Sequence, residues 1–111
     1  MGARPRAQGT DGALGYAWLQ PNSPTMDLRR IRHFVVLAET LNFRRAAERL
    51  HMAQPPLTVS IQKLEAELGT KLFERGTQGV TLTATGRTVL VEARKLLFHG
   101  TQLGAIARSA L

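Results

Sequence analysis

The sequence predicts a mainly α-helical domain: three short helices, a small two-stranded hairpin and a long final helix. Apolar residues recur every three or four positions from Leu28 onward, the spacing of helices that bury one face. A glycine-containing turn at residues 76–79 separates two short runs typical of strands. A second long helical pattern follows residue 83. The chain has 111 residues, which is enough for one small domain with a modest core.

Residues 1–25 precede these patterns, and we expect them to form a disordered N-terminal extension. They contain three of the five prolines and four of the ten glycines, without helical or alternating periodicity. Within them, the apolar island Tyr16–Leu19 is the part with a composition suited to docking on another surface.

Two helices are predicted next. Asp27 is placed to cap the first, which ends near Thr40. Its expected buried face consists of Leu28, Ile31, Phe34, Val35, Ala38 and Leu41. Asn42 is placed to cap a second helix over residues 43–50, whose inward face is expected to be Phe43, Ala46, Ala47 and Leu50. The paired alanines fit a close helix crossing, although alanine is also simply the best helix former.

The third predicted helix runs from Gln54 to Leu68 and ends at Gly69. The short joint His51–Ala53 favours a steep crossing with the preceding helix, as in a helix-turn-helix. The expected buried stripe is Leu57, Ile61, Leu64 and Leu68, and the outer face carries Pro55, Thr58, Val59, Gln62, Lys63 and Ala66. This face has no acid on its first two turns and suits a DNA groove. A helix with one packed face and one solvated face is the open alternative.

Two short strands around residues 76–79 would form a hairpin, which beside a helix-turn-helix is called a wing. Arg75 at its base would reach phosphates or a narrow minor groove. The alternative is a solvated arginine paired with Glu74 or another acid.

The last helix is expected to be capped by Thr83, with Gly86 as a weak point. Apolar positions alternate by four and three, which is the heptad spacing of a helix that pairs with another. We expect a homodimer interface through Val89, Leu90, Ala93, Leu96, Leu97, Gly100 and Leu103. The alternative is that this helix folds back onto its own domain.

The composition of the chain restricts the classes of partner and site that it could have. The net charge of +7 and a pI near 11.3 indicate a polyanion partner, with nucleic acid ahead of an anionic membrane surface. The absence of cysteine excludes disulfides and thiolate zinc sites and suits a reducing cytosol. The three histidines are far apart, so no metal site is expected. No apolar run reaches the roughly 20 residues of a membrane span.

We expect no catalytic residues and no enzymatic activity. No carboxylate pair, phosphate loop or nucleophile and base occurs at usable spacing. Ser60 and His51 would form a pair only on paper, because nothing in the sequence orients the histidine.

From Asp27 to about Leu97, the order of AAERL, AQPPLT, LEAELG, LFER and LTATG closely resembles the DNA-binding domain of LysR-type transcriptional regulators. The resemblance implies a winged helix-turn-helix over residues 26–83 and a linker and dimerisation helix over residues 84–111. It also implies a partly palindromic double-stranded DNA operator in the bacterial cytoplasm. For the full-length family it implies a possible tetramer and a C-terminal domain, absent here, that binds a small-molecule inducer; this chain itself is expected to hold no cofactor.

Carried over by matching residues, the resemblance places Gln54, Pro55, Thr58, Val59 and Gln62 at the bases. We expect Arg44, Arg45, Lys63 and Arg75 to contact the DNA backbone. The family usually has serine at Ala53, so a helix cap typically worth about 1 kcal/mol is expected to be missing. It commonly has arginine or lysine at Val59 and glutamine at Ser60. Valine would instead pack against a thymine methyl. The rival hypothesis is a winged-helix module for protein interaction that reads no DNA.

Overall fold

The computed structural model describes residues 27–110. The elements are, in chain order, α1 (Leu28–Thr40), α2 (Phe43–Arg49), α3 (Gln54–Leu68), β1 (Phe73–Gly76), β2 (Gly79–Leu82) and α4 (Ala84–Ser109). The two strands pair antiparallel, with Phe73 opposite Leu82 and Gly76 opposite Gly79. This order confirms the predicted fold class. The predicted disordered extension, including Tyr16–Leu19, lies outside the described residues.

One core holds these elements together. Its largest fully buried side chains come from α1, α3 and the segment before β1, and they are Phe34, Leu37, Leu57, Leu64 and Leu72. The rings of Phe34 and Phe73 meet edge to face with their centroids 5.5 Å apart, so α1 supports the start of the wing. The helix-turn-helix and the wing therefore rest on the same apolar cluster.

The predicted buried face of α1 is wrong at both ends. Leu28 is 50% exposed and Leu41 is 40% exposed, whereas Leu37, which was not predicted, is fully buried. Leu28 lies in the first turn, at the margin of the core. Leu41 is the C-cap with a left-handed φ of 50°, so the chain has already left the helix there. Leu37 is buried because α2, α3 and α4 all pack against α1 and widen its covered surface.

The second helix is one residue shorter than predicted. It ends at Arg49, and Leu50 is its half-buried C-cap. Ala46 and Ala47 are both buried. In the predicted stripe of α3, Leu57, Ile61 and Leu64 are buried and Leu68 is half-buried. The interpretation of the alanine pair as packing residues therefore agrees with the structure.

Gly86 is a packing requirement of the first turn of α4. A β-carbon at this position would clash with the carbonyl oxygen of Leu72 and lie 2.9 Å from a methyl of Leu82. The Thr83 hydroxyl caps the same turn, since its Oγ1 accepts the N–H of Gly86 at 2.9 Å and donates to the carbonyl of Lys71 at 2.9 Å. The glycine allows α4 to start directly against the base of the wing.

Candidate nucleic-acid interface

The turn between α2 and α3 aims the third helix outward. Asn42 caps α2 by accepting the N–H of Arg45 at 2.9 Å. The turn itself contains His51 with a left-handed φ of 55° and is closed by a hydrogen bond from the N–H of Met52 to the carbonyl of Ala47 at 3.0 Å. This short connection, together with the buried alanines, lets α2 and α3 cross closely and leaves one side of α3 uncovered.

The start of α3 lacks a side-chain cap, as predicted from Ala53. Ala53 is the N-cap and makes no side-chain hydrogen bond. A serine there would normally accept the N–H of the second or third helical residue. These residues are Pro55 and Pro56, which have no N–H to donate. Alanine therefore loses little at this position, and the prolines preset the helical φ.

The outer face of α3 is exposed over its first three turns. Its exposed members are Gln54, Pro55, Val59, Gln62 and Lys63, while Thr58 is half-buried. Val59, at 47% exposure, is an apolar side chain in the middle of this surface. All five residues predicted from the family resemblance to contact bases therefore reach the surface on this helix.

Ser60 belongs to the opposite side of α3, where it is buried. Its Oγ lies 2.7 Å from Nδ1 of His33 on α1. Burial lowers the pKa of His33 below its ordinary value of 6.5, and the neighbouring charge of Arg32 lowers it further. A neutral imidazole thus holds α3 from behind. The histidine that contacts Ser60 is therefore not His51, which the sequence analysis had paired with it only on paper. His51 is exposed and makes no such contact.

Both acids of α3 are engaged by other parts of the protein. Oε2 of Glu65 accepts the backbone N–H groups of Leu72 at 2.8 Å and Phe73 at 3.2 Å. Glu67 pairs with Arg30 of α1 at 3.0 Å. The outer face consequently presents no carboxylate that lacks a partner, which favours approach by a polyanion. The contact from Glu65 also fixes where the wing begins relative to α3.

Arg75 lies on the wing with its guanidinium over the ring of Phe43, 4.0 Å from the ring centroid. Within residues 27–110, no carboxylate lies within ion-pair distance of Arg75, so the predicted alternative of a pair with Glu74 is not seen. Gln62, Lys71 and Arg75 line one cleft between α3 and the wing, together with the carboxylates of Glu65 and Glu74. Lys71 was missed by the sequence analysis. The sequence feature that could have identified it is a lysine two residues before the first strand of the hairpin.

The other predicted backbone contacts are less uniform. Arg44 is exposed and pairs with Glu48 at 3.1 Å. Arg45 lies in a separate cleft at the ends of α1 and α2 that also contains Glu39. Lys63 is exposed on the flank of α3 opposite Glu65, about 160° away around the helix. The structure thus brings Gln62 and Arg75 to one cleft, with Lys63 on the far flank and Arg45 apart.

The final helix divides into two parts. Leu90 and Ala93 are buried in the protein's own core, and Val89 and Leu97 pack partly against it. For this part of α4 the packing corresponds to the fold-back alternative, because Leu90 and Ala93 are covered by their own domain. Further along, Leu96 is 42% exposed, Gly100 is exposed and Leu103 is 70% exposed. Ile106, which was not in the predicted interface, is also exposed and lies three residues beyond Leu103.

Neither a metal centre nor a membrane segment is found in the part of the chain that the structure describes. No group of three or more metal-ligating side chains occurs within residues 27–110. None of the helices described there combines the length and apolar character needed to cross a bilayer.

Comparison with known proteins decides the family. Residues 28–87 match the model of the bacterial regulatory helix-turn-helix protein, lysR family. The chain belongs to the lysR family. Among its relatives, the HTH-type transcriptional regulator TfdT of Cupriavidus pinatubonensis is 51% identical over 72 residues, which are 65% of this chain and 32% of TfdT. ClcR of Pseudomonas putida, another HTH-type transcriptional regulator, is 48% identical over 85 residues, covering 77% of this chain and 29% of ClcR.

Solved structures of lysR-family proteins share the fold. The complex of the CbnR DBD with DNA has a TM-score of 0.73 at 42% identity and covers 77% of this chain and 98% of that one. The complex of the BenM DBD with benA site 1 DNA has a TM-score of 0.75 at 41% identity, covering 78% of this chain and all of that one. The chain spans a third or less of the length of TfdT and ClcR, so the match concerns their helix-turn-helix region.

Proposed function

We propose that this chain is the sequence-specific, double-stranded DNA-binding part of a bacterial lysR-family transcriptional regulator. The observation that carries the proposal is the exposed outer face of α3. The two acids of this helix do not oppose a polyanion there, because Glu65 accepts a backbone N–H and Glu67 pairs with Arg30. An α-helix about 10–12 Å wide fits a major groove about 12 Å wide. Arg75 beside this face would contact the backbone or a minor groove.

The residues of α3 would take different roles in the groove. Thr58 and Gln62 have hydrogen-bonding side chains and would read base edges. Gln54, at the helix start, would be shared between a base and a phosphate, and Pro55 with Val59 would make apolar contacts. Lys63 and Arg44 are exposed cations and would contact phosphates. Lys71 joins this group because it shares a cleft with Gln62 and Arg75.

The exposed part of α4 supports a homodimer. Leu96 and Leu103 are seven residues apart and Ile106 follows three later, so the three side chains lie along one side of the helix. Their exposed apolar surface would be covered by the same surface of a second copy. Two recognition helices related by a two-fold axis would then read a partly palindromic site. A tetramer, an inducer and the domain that would bind it stay predictions from the family resemblance.

Titration of duplex DNA over a range of salt concentrations tests the DNA-binding proposal. Four or more neutralised phosphates per dimer would weaken binding by about a hundredfold between roughly 50 and 200 mM salt. Arg75→Ala should weaken binding to all sequences and lower the salt slope by about one per protomer. Arg108→Ala, at the far end of α4, is the matched control and should leave both unchanged.

The rival function, protein interaction without DNA reading, predicts a different result. It is favoured if the protein binds no duplex from a random pool even at low salt. The dimer is tested separately by light scattering on the variant Leu103→Glu. This substitution replaces an apolar side chain that is 70% exposed with a charged one. This variant should be monomeric, whereas the neighbouring exposed control Gln102→Glu should remain dimeric. A monomeric unmutated chain would contradict the dimer proposal.

A further inference from the structure

The outer face of α3 contains a small apolar concavity. It is lined by Gln54, Pro55, Thr58 and Val59, and its surface is mostly carbon. Val59 is 47% exposed here, although an exposed valine contributes nothing to the core and lowers helix propensity slightly. The surface around it offers polar or basic side chains at Gln62 and Lys63. An apolar centre surrounded by hydrogen-bonding groups is an arrangement that matches a base edge.

Val59 lies near the middle of this face. At about 100° per residue, it is roughly 40° from Pro55 and 60° from Gln62 around the helix. Lys63 lies about 40° to the other side of Val59, at one edge of the exposed face. With α3 seated in a groove as proposed above, the middle of the exposed face lies against the base pairs and its outer edges lie nearer the phosphate backbones. Val59 is therefore placed against a base edge instead of a phosphate.

The chemistry of base edges limits what an isopropyl group can read. In the major groove, guanine, adenine and cytosine present only hydrogen-bond donors and acceptors, whereas thymine also presents its C5-methyl. Valine neither donates nor accepts, so covering a polar edge would remove water without replacing its hydrogen bonds. Valine in a helix is also held in one strongly preferred χ1 rotamer, so its methyl groups are positioned before binding.

We propose that Val59 is a specificity-determining residue that packs against the C5-methyl of one thymine in each half-site. The proposal rests on the DNA-binding function proposed above and specifies one of its base contacts. Pro55 and the methyl of Thr58 complete the apolar concavity that receives the thymine methyl. The half-site would thus contain a required T·A pair whose recognition depends on a methyl group and on no hydrogen bond from residue 59.

Removal of single methyl groups from the DNA tests this contact. A preferred duplex is first selected from a random pool with the unmutated protein. Each thymine of one half-site is then replaced in turn by deoxyuridine, which lacks only the C5-methyl. One replacement should weaken binding about fourfold, the loss expected for one buried methyl group. At the same position, 5-methylcytosine should bind about fourfold more tightly than cytosine, since the methyl group is the feature being read.

Two protein variants assign the effect to Val59. Val59→Ala should bind the thymine and deoxyuridine duplexes equally, because the partner of the methyl group is gone. Val91→Ala, an equally exposed valine on α4, should keep the fourfold difference. Both substitutions place alanine in a helix, where it is well tolerated.

The outcomes separate the contact from the function it rests on. A pool that yields no enriched sequence overturns the DNA-binding proposal and this inference together. Enrichment followed by equal binding of every deoxyuridine duplex overturns only the contact. A deoxyuridine effect that persists unchanged in Val59→Ala also overturns it, because the thymine methyl is then read by another residue. Equal binding of the cytosine and 5-methylcytosine duplexes would also overturn the contact.

Discussion

Nδ1 of His33 lies 2.7 Å from Oγ of Ser60, and this contact joins α1 to the buried side of α3. The consecutive residues Val59 and Ser60 lie about 100° apart around the helix, and one is exposed while the other is buried. Any rotation of α3 that moved Val59 would break the contact with His33. The orientation of the outer face is therefore set by a polar contact behind it as well as by the leucine stripe.

Stability should depend on the protonation of His33. Its pKa is lowered in the folded protein by burial and by the charge of Arg32, so the unfolded chain binds a proton more readily. The stabilising contribution is fully present above the ordinary pKa of 6.5 and is lost as pH falls toward the lowered value. Urea unfolding between about pH 7.5 and 5 should therefore show a decreasing free energy of unfolding.

His33→Gln should reduce this pH dependence, because glutamine keeps a hydrogen-bonding group near Ser60 and does not titrate. His99→Gln is the control, since His99 is exposed on α4. An identical pH dependence in His33→Gln and the unmutated protein would show that another group is responsible.

Glu65 should contribute more to stability than Glu67, although both are acids near the end of α3. Glu65→Ala leaves the partly buried N–H groups of Leu72 and Phe73 without an acceptor, which costs about 1–3 kcal/mol. Glu67→Ala removes only a surface ion pair with Arg30, worth less than about 1 kcal/mol. Chemical denaturation of both variants measures the difference. Equal losses would mean that Glu65 does not hold the wing.

Substitution should change stability at one helix cap and leave it nearly unchanged at another. Asn42→Ala removes an acceptor for the N–H of Arg45 and should destabilise the protein by about 1 kcal/mol. Ala53→Ser introduces a favoured cap residue, yet we expect a change below about 0.5 kcal/mol because Pro55 and Pro56 offer no N–H. Thermal and urea unfolding are suitable measurements. A gain of about 1 kcal/mol in Ala53→Ser would contradict this account of the helix start.

Local signals made parts of the fold predictable. The predicted and observed bounds of α3 agree because the prolines after Ala53 mark a helix start and Gly69 adopts a left-handed φ of 72° at its end. The caps at Asp27 and Asn42 were predicted for the same reason. In each case the residues that set the structure are neighbours in the chain, so their effect does not depend on the rest of the molecule.

Contacts between distant residues were not predictable in this way. The burial of Leu37, the partner of Ser60 and the two hydrogen bonds accepted by Glu65 all depend on which elements pack together. The seven predicted interface residues of α4 formed one apolar stripe, a heptad pattern widened by Leu90 and Leu97, but the structure divides them. Leu90 and Ala93 pack within the chain, whereas Leu96 and Leu103 remain exposed.

The order of the elements, their caps and the exposed outer face of α3 follow from the sequence alone, because helix periodicity and local hydrogen bonding operate over a few residues. Which polar groups are engaged, and which apolar groups are left for a partner, depends on how the elements pack. The tertiary structure engages Glu65 and Glu67 away from the outer face, leaves Arg75 without a carboxylate partner among residues 27–110 and buries one part of the apolar pattern of α4. The physical reason is that pairing and burial require two surfaces, and packing brings those surfaces together across dozens of residues.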